Sequence, residues 1–178
     1  MELSSKKSYY NLVLLIGVCL FTVHAAAQCV APTLPNDVVF KDASDYRSQD
    51  AKAAECLEWL LSKDSFECSE QREAVNAYVL VWLSGHPDVI ANVETRVMPF
   101  IDKYPELLFP MMHGSAKYAL STNKKDQTQV NSLVSGLKAV DRYCRSSKSL
   151  RKDPDLKLHH KLIRKKKISS WIEDQQKV

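Results

Sequence analysis

From Val130 onward, apolar side chains fall at Val130, Leu133, Val134, Leu137, Val140 and Cys144. That three- and four-residue rhythm is the period of a helix with one buried face. Gln129, Lys138, Asp141, Arg142 and Arg145 take the outward positions, and Asp126 is the expected cap. The same rhythm returns at Ala53, Cys56, Leu57, Leu60 and Leu61, with Lys52, Glu55 and Glu58 on the wet side, and predicts a helix over 48–62. The whole chain has four glycines, too few for the many tight turns of a sandwich or barrel. An all-α fold is the expectation.

Other helices follow by the same logic. Ser69 reads as an N-cap with Glu70 and Glu73 in the first turn, opening a helix to about Ser84. Its second half, Ala77 to Leu83, is apolar nearly all round and predicts burial on several sides. Gly85 suits a left-handed C′ position, and Pro87 bars continuation. Residues 88–97 fit helix and extended chain equally, and 97–104 reads as a short helix. Pro105 opens a helix to about Thr122, in which Pro110 predicts a kink or a break. Gly114 permits close approach of another helix. Asp153-Pro154 starts a helix with Leu156, Leu158, Leu162 and Ile163 as apolar positions. Ser169 or Ser170 caps a last one, with 174–178 frayed. Six or seven helices packed as antiparallel pairs, in a bundle or a short tetratricopeptide-like stack, are expected after an extended arm over 28–44.

The N-terminus carries a different signal. Lys6 and Lys7 precede an apolar run over 11–23, and Ala25-Ala26-Ala27 follows. That is the pattern of a secretory signal peptide cleaved before Gln28. The run is shorter than the roughly 20 residues of a membrane-spanning helix. Cleavage leaves 151 residues, one helical domain over 28–178 in the periplasm or outside the cell. No later segment has the apolar length to span a membrane. The stretch from Asn76 to Gly85, then Pro87-Asp88-Val89 and Gly114-Ser-Ala-Lys-Tyr-Ala-Leu120, resembles uncharacterised exported helical proteins of Gram-negative bacteria. The resemblance implies export and no particular activity.

Four cysteines remain after cleavage: Cys29, Cys56, Cys68 and Cys144. In an oxidising compartment they suggest two bridges. Cys56–Cys68 would staple a helical hairpin, and Cys29–Cys144 would tie the arm to a later helix. No Cys-x-x-Cys spacing points to redox chemistry.

Candidate functional residues are few. His159 and His160 are adjacent, so they lack the i, i+4 spacing of a metal-gripping pair, and no metal or cofactor is expected. There is no nucleophile elbow and no phosphate loop. A hydrolase reading needs a site assembled from distant residues around His113 or His86. Trp59, Tyr78 and Trp82, with His113, make a second candidate set, an aromatic grip for a small ligand or glycan. Charge is the third. Residues 138–167 hold twelve Lys/Arg against three Asp, a balance of +9, while 28–137 hold ten Lys/Arg against fifteen Asp/Glu, a balance of −5. Lys161, Arg164, Lys165, Lys166 and Lys167 are the densest cluster, suited to an anionic partner. Nucleic acid is not expected, since no recognition motif occurs. The leading expectation is a non-enzymatic interaction or scaffold protein of the cell envelope that binds a protein or peptide.

Overall fold

The computed structural model describes residues 30–62, 68–145 and 147–177. The expected signal segment 1–27, Cys29 and residues 63–67 lie outside the described residues. Residues Ala31–Val178 pack as one unit. Among the described residues there are seven α-helices: α1 Ala43–Ser48, α2 Asp50–Ser62, α3 Ser69–Gly85, α4 Leu108–Ser121, α5 Gln129–Cys144, α6 Pro154–Arg164 and α7 Ile168–Gln176. Short 3-10 turns at Thr95–Val97, Pro105–Leu107, Lys124–Asp126 and Leu150–Lys152 join them. The all-α expectation holds.

Several ends differ from the sequence reading. The arm is shorter than 28–44 because Asp42 caps α1: its Oδ1 accepts from the Ser44 and Asp45 N–H groups, and Asp45 Oδ2 accepts from the Asp42 N–H. Such a reciprocal box closes two orphan donors at once and lets a six-residue helix start. Phe40, just before it, stacks on Tyr46 with ring centroids 4.7 Å apart. The residue before α3 is Cys68, in left-handed backbone at φ 66°, so Ser69 is the first helical residue rather than the cap. Gly85 is helical, and among the described residues no glycine has positive φ. Its lack of a side chain serves packing instead, because a Cβ there would run into the Tyr46 ring. Thr128, not Asp126, caps α5, accepting from the Asn131 N–H at 3.2 Å.

Residues 88–94 carry no helix, and 98–104 form successive turns rather than the expected short helix. Val97, Met98 and Phe100 are all fully buried, and turns allow neighbouring residues to face inward together. Pro105 opens a 3-10 turn, and the expected kink or break at Pro110 is absent, because the α-helix starts only at Leu108 and Pro110 falls in its first turn. A missing N–H costs nothing there.

The tightest helix contact is between α4 and α5. A Cβ on Gly114 would lie 2.6 Å from the Ser135 carbonyl oxygen and 2.7 Å from the Ala139 Cβ, and a Cβ on Gly136 would strike the Met111 side chain and carbonyl. Two glycines therefore let backbone meet backbone. Beside them, Ser115 and Ser132 share a buried hydrogen bond, and Ser115 Oγ accepts from the Asn92 N–H at 2.8 Å. Buried hydroxyls demand such partners.

The main core gathers Met111, Leu133, Leu137, Leu156, Ile168 and Ile172 with Val97, Met98 and Phe100. On the far side of α4, α2 packs against both α3 and α4 and buries Ala53, Cys56, Leu57 and Leu60. Asp153 caps α6 as expected, accepting from the Asp155 and Leu156 N–H groups and from Lys103 Nζ at 2.7 Å. On α6 Leu156 and His159 face inward, while Leu158 is exposed. Helix α7 runs through Gln176, whose amide donates to Glu94 at 2.9 Å, so the frayed tail expected from 174 is helical instead.

Candidate functional site

The aromatic set is built into the fold. Trp82 is fully buried and donates its indole N–H to the Tyr46 carbonyl at 3.1 Å. Trp59 is 8% exposed. Tyr78 donates its hydroxyl to Gln49 at 3.1 Å, and burial pushes its pKa up to about 12. These contacts join α3 to α1 and to Gln49 just before α2, and the two tryptophans offer no open ring face to a sugar. Sequence spacing cannot separate an aromatic grip from an aromatic core.

The histidines are committed as well. His86 Nδ1 accepts from the Asp88 and Val89 N–H groups at 3.0 and 2.9 Å, so its proton sits on Nε2, which donates to Asp50 at 2.9 Å. The His–Asp geometry resembles a catalytic dyad, but the nitrogen that would take a proton is already occupied by two backbone donors. It is a helix-ending clamp on α3, which also explains why Gly85 need not turn left-handed. His113 on α4 is 2% exposed, and its Nε2 has no hydrogen-bond partner. Burial, followed by the nearby Arg72 charge, pulls its pKa down to about 4. His159 faces two carbonyls, Asp155 at 2.7 Å and Val97 at 3.1 Å, between the rings of Phe100 and Trp171. A neutral ring has one N–H to donate, and burial lowers its pKa.

His160 is the exposed member of the pair and meets Asp141 Oδ1 at 2.7 Å; Arg145 holds the other carboxylate oxygen at 2.7 Å. Asp141 is 8% exposed, against the outward position read from the periodicity. The pair lines a cavity of about 140 Å³ together with Cys144. Burial raises the Cys144 thiol to about 12, so this is not an activated Cys–His nucleophile.

Both expected disulfide pairs fail. Cys56 and Cys144 are buried free thiols, each facing the core on an amphipathic helix. Burial raises Cys56 to about 11. Cys68 is disulfide-bonded to neither of them. Among the described residues no group of three His, Cys, Asp or Glu is placed to hold a metal ion, and no helix is long and apolar enough to cross a membrane.

Two surface features remain. The first is the α6–α7 turn, where Lys161, Arg164, Lys165, Lys166 and Lys167 are all exposed. Lys166 takes the left-handed conformation at φ 56°, which reverses the chain and fans the cluster outward. Some basic residues elsewhere pair with carboxylates, as Arg47 and Lys124 do with Asp88 at 2.7 and 2.8 Å. None of the five in the turn has a carboxylate within 4.0 Å among the described residues. The second is an open groove of about 430 Å³ between α3 and the start of α4. Ser69, Arg72, Glu73, Asn76 and Leu80 line one wall at helical spacing, and Glu106, Phe109 and Pro110 line the other. The sequence reading missed it, since Glu73 looked like an ordinary solvated first-turn carboxylate.

No family model matches the chain, and neither the curated proteins nor the solved structures compared with it include a match.

Proposed function

We propose that this protein is an exported, non-catalytic binding protein of the cell envelope, and that its α6–α7 turn docks on an acidic segment of a protein partner. The observation that carries the reading is the turn itself: five exposed cations in seven residues with no carboxylate against them among the described residues. Like charges held together repel one another, and an anionic partner relieves that repulsion. A non-catalytic role is supported by the histidines. His86 and His159 are spent on backbone groups, and His113 is sealed in the core. Export is supported by the basic, apolar and small-residue order of the first 27 residues.

The test uses the protein expressed with its own N-terminal segment and recovered from the envelope fraction. Intact mass is expected to show a chain starting at Gln28; an uncleaved chain in the cytoplasm refutes export. A fluorescein-labelled oligoglutamate peptide is then titrated at low and high salt. Binding is expected to weaken steeply with salt and to be lost in a Lys165→Gln, Lys166→Gln, Lys167→Gln variant. No binding at low salt, binding unchanged in the variant, or a preference for anionic phosphatidylglycerol vesicles over the peptide overturns the reading.

A further inference from the structure

We propose that the groove between α3 and α4 is a second binding site, one that receives a lysine or arginine side chain of a peptide. The inference is independent of the basic turn and concerns the opposite charge. The groove exists because α3 and α4 both lean on α2 and diverge from each other where α3 begins. Its polar groups are unbalanced. Glu73 and Glu106 stand exposed on opposite walls, and neither has a cationic partner within 4.0 Å among the described residues. Asn76, on the wall between Glu73 and Leu80, holds a buried side-chain oxygen with no hydrogen-bond donor. Arg72 is turned toward α2, where its guanidinium donates to the Leu60 carbonyl at 3.1 Å. Ser69, Arg72 and Tyr143 add donors to the lining, but two carboxylates against one guanidinium leave the groove negative, a charge that a bound cation offsets.

The apolar lining narrows the choice. Phe109 is 39% exposed, a large ring presented to water at the groove edge, and Leu80 and Pro110 continue its surface. An aliphatic stem lies along such a surface while its charged head reaches the carboxylates. A guanidinium or ammonium over the Phe109 face gains a cation–π attraction. An acidic or a purely apolar side chain satisfies none of these groups. The volume suits one long side chain with its flanking backbone rather than a bulky cofactor.

The experiment is an amide NMR titration of the full protein with three blocked tripeptides, Ala-Arg-Ala, Ala-Lys-Ala and Ala-Glu-Ala, and with spermidine. Saturable shifts are expected in 69–80 and 106–110 for the basic tripeptides alone. A Glu73→Gln, Glu106→Gln variant, which changes charge and not volume, should weaken them roughly tenfold, as loss of charge-assisted bonds does. Phe109→Leu should weaken the arginine peptide more than the lysine peptide. The inference is overturned by non-saturable shifts, by equal shifts with Ala-Glu-Ala, by unchanged affinity in the double variant, or by spermidine binding more tightly than either basic tripeptide. Gln variants at the basic turn should leave these shifts unmoved, which separates this test from that of the acidic partner.

Discussion

Acid should destabilise this fold through one histidine. His113 titrates near 4 in the folded protein and near 6.5 when exposed. The folded pKa is depressed, so between these values the unfolded chain binds the proton and the folded chain does not. Stability is therefore complete above the unfolded pKa and falls as pH drops toward the folded one. The two values give a loss of about 2 kcal/mol at about pH 5, and about 3 kcal/mol once both states are protonated. For a domain of this size that is a fall in Tm of about 4–8 °C at about pH 5. Urea unfolding followed by tryptophan fluorescence at about pH 7.5 and about pH 5 measures it. His159 contributes a slope of the same sign, since burial lowers its pKa too, so the informative quantity is the difference between the wild type and His113→Met. Methionine is apolar and adaptable, and near neutral pH it should change stability by less than about 1.5 kcal/mol. It also removes the unpartnered Nε2. The variant should lose about 2 kcal/mol less than the wild type on acidification. Equal losses in the two proteins would refute the argument.

Four further predictions concern packing, covalent state and capping. Gly114→Ala should destabilise by about 1–3 kcal/mol, since its Cβ meets the Ser135 carbonyl and cannot be relieved by a rotamer change; thermal unfolding reads this. Gly85→Ala should cost less, because its obstacle is the far end of the Tyr46 side chain. Peptide mapping by mass spectrometry without reduction should find Cys68 in a disulfide and Cys56 and Cys144 alkylated only after denaturation; ready alkylation of either in the native state would count against their burial. Asp153→Ala removes two cap bonds and the Lys103 partner and should cost about 1–2 kcal/mol in a urea titration.

Helix spans were legible because hydrophobic period is a local property, and α5 follows the spacing from Val130 to Cys144 closely. Polar residues that face inward were not legible. Asp141, Ser115, Ser132 and His159 are buried against partners far away in the chain, and periodicity counts them as surface. The glycine at 136 escaped notice for a related reason: its use depends on what α4 places opposite. Caps were misplaced where two candidates compete within a few residues, as with Asp126 and Thr128. The basic turn was visible at once, since charge density needs no fold to be recognised. The groove was invisible, since neither wall is unusual until α2 sets them apart.

The clamp at His86 has a consequence for how the molecule is held together. One imidazole holds the last turn of α3, the two amides that follow it, and the first residue of α2 through Asp50. The chain between Asp50 and Val89 is thereby closed into a loop, in the way a crosslink closes one, but by hydrogen bonds through a single ring. The α4–α5 crossing is fastened differently, by backbone meeting backbone at Gly114 and Gly136. One helix pair is thus joined through the polar atoms of a single side chain, the other through the absence of two side chains.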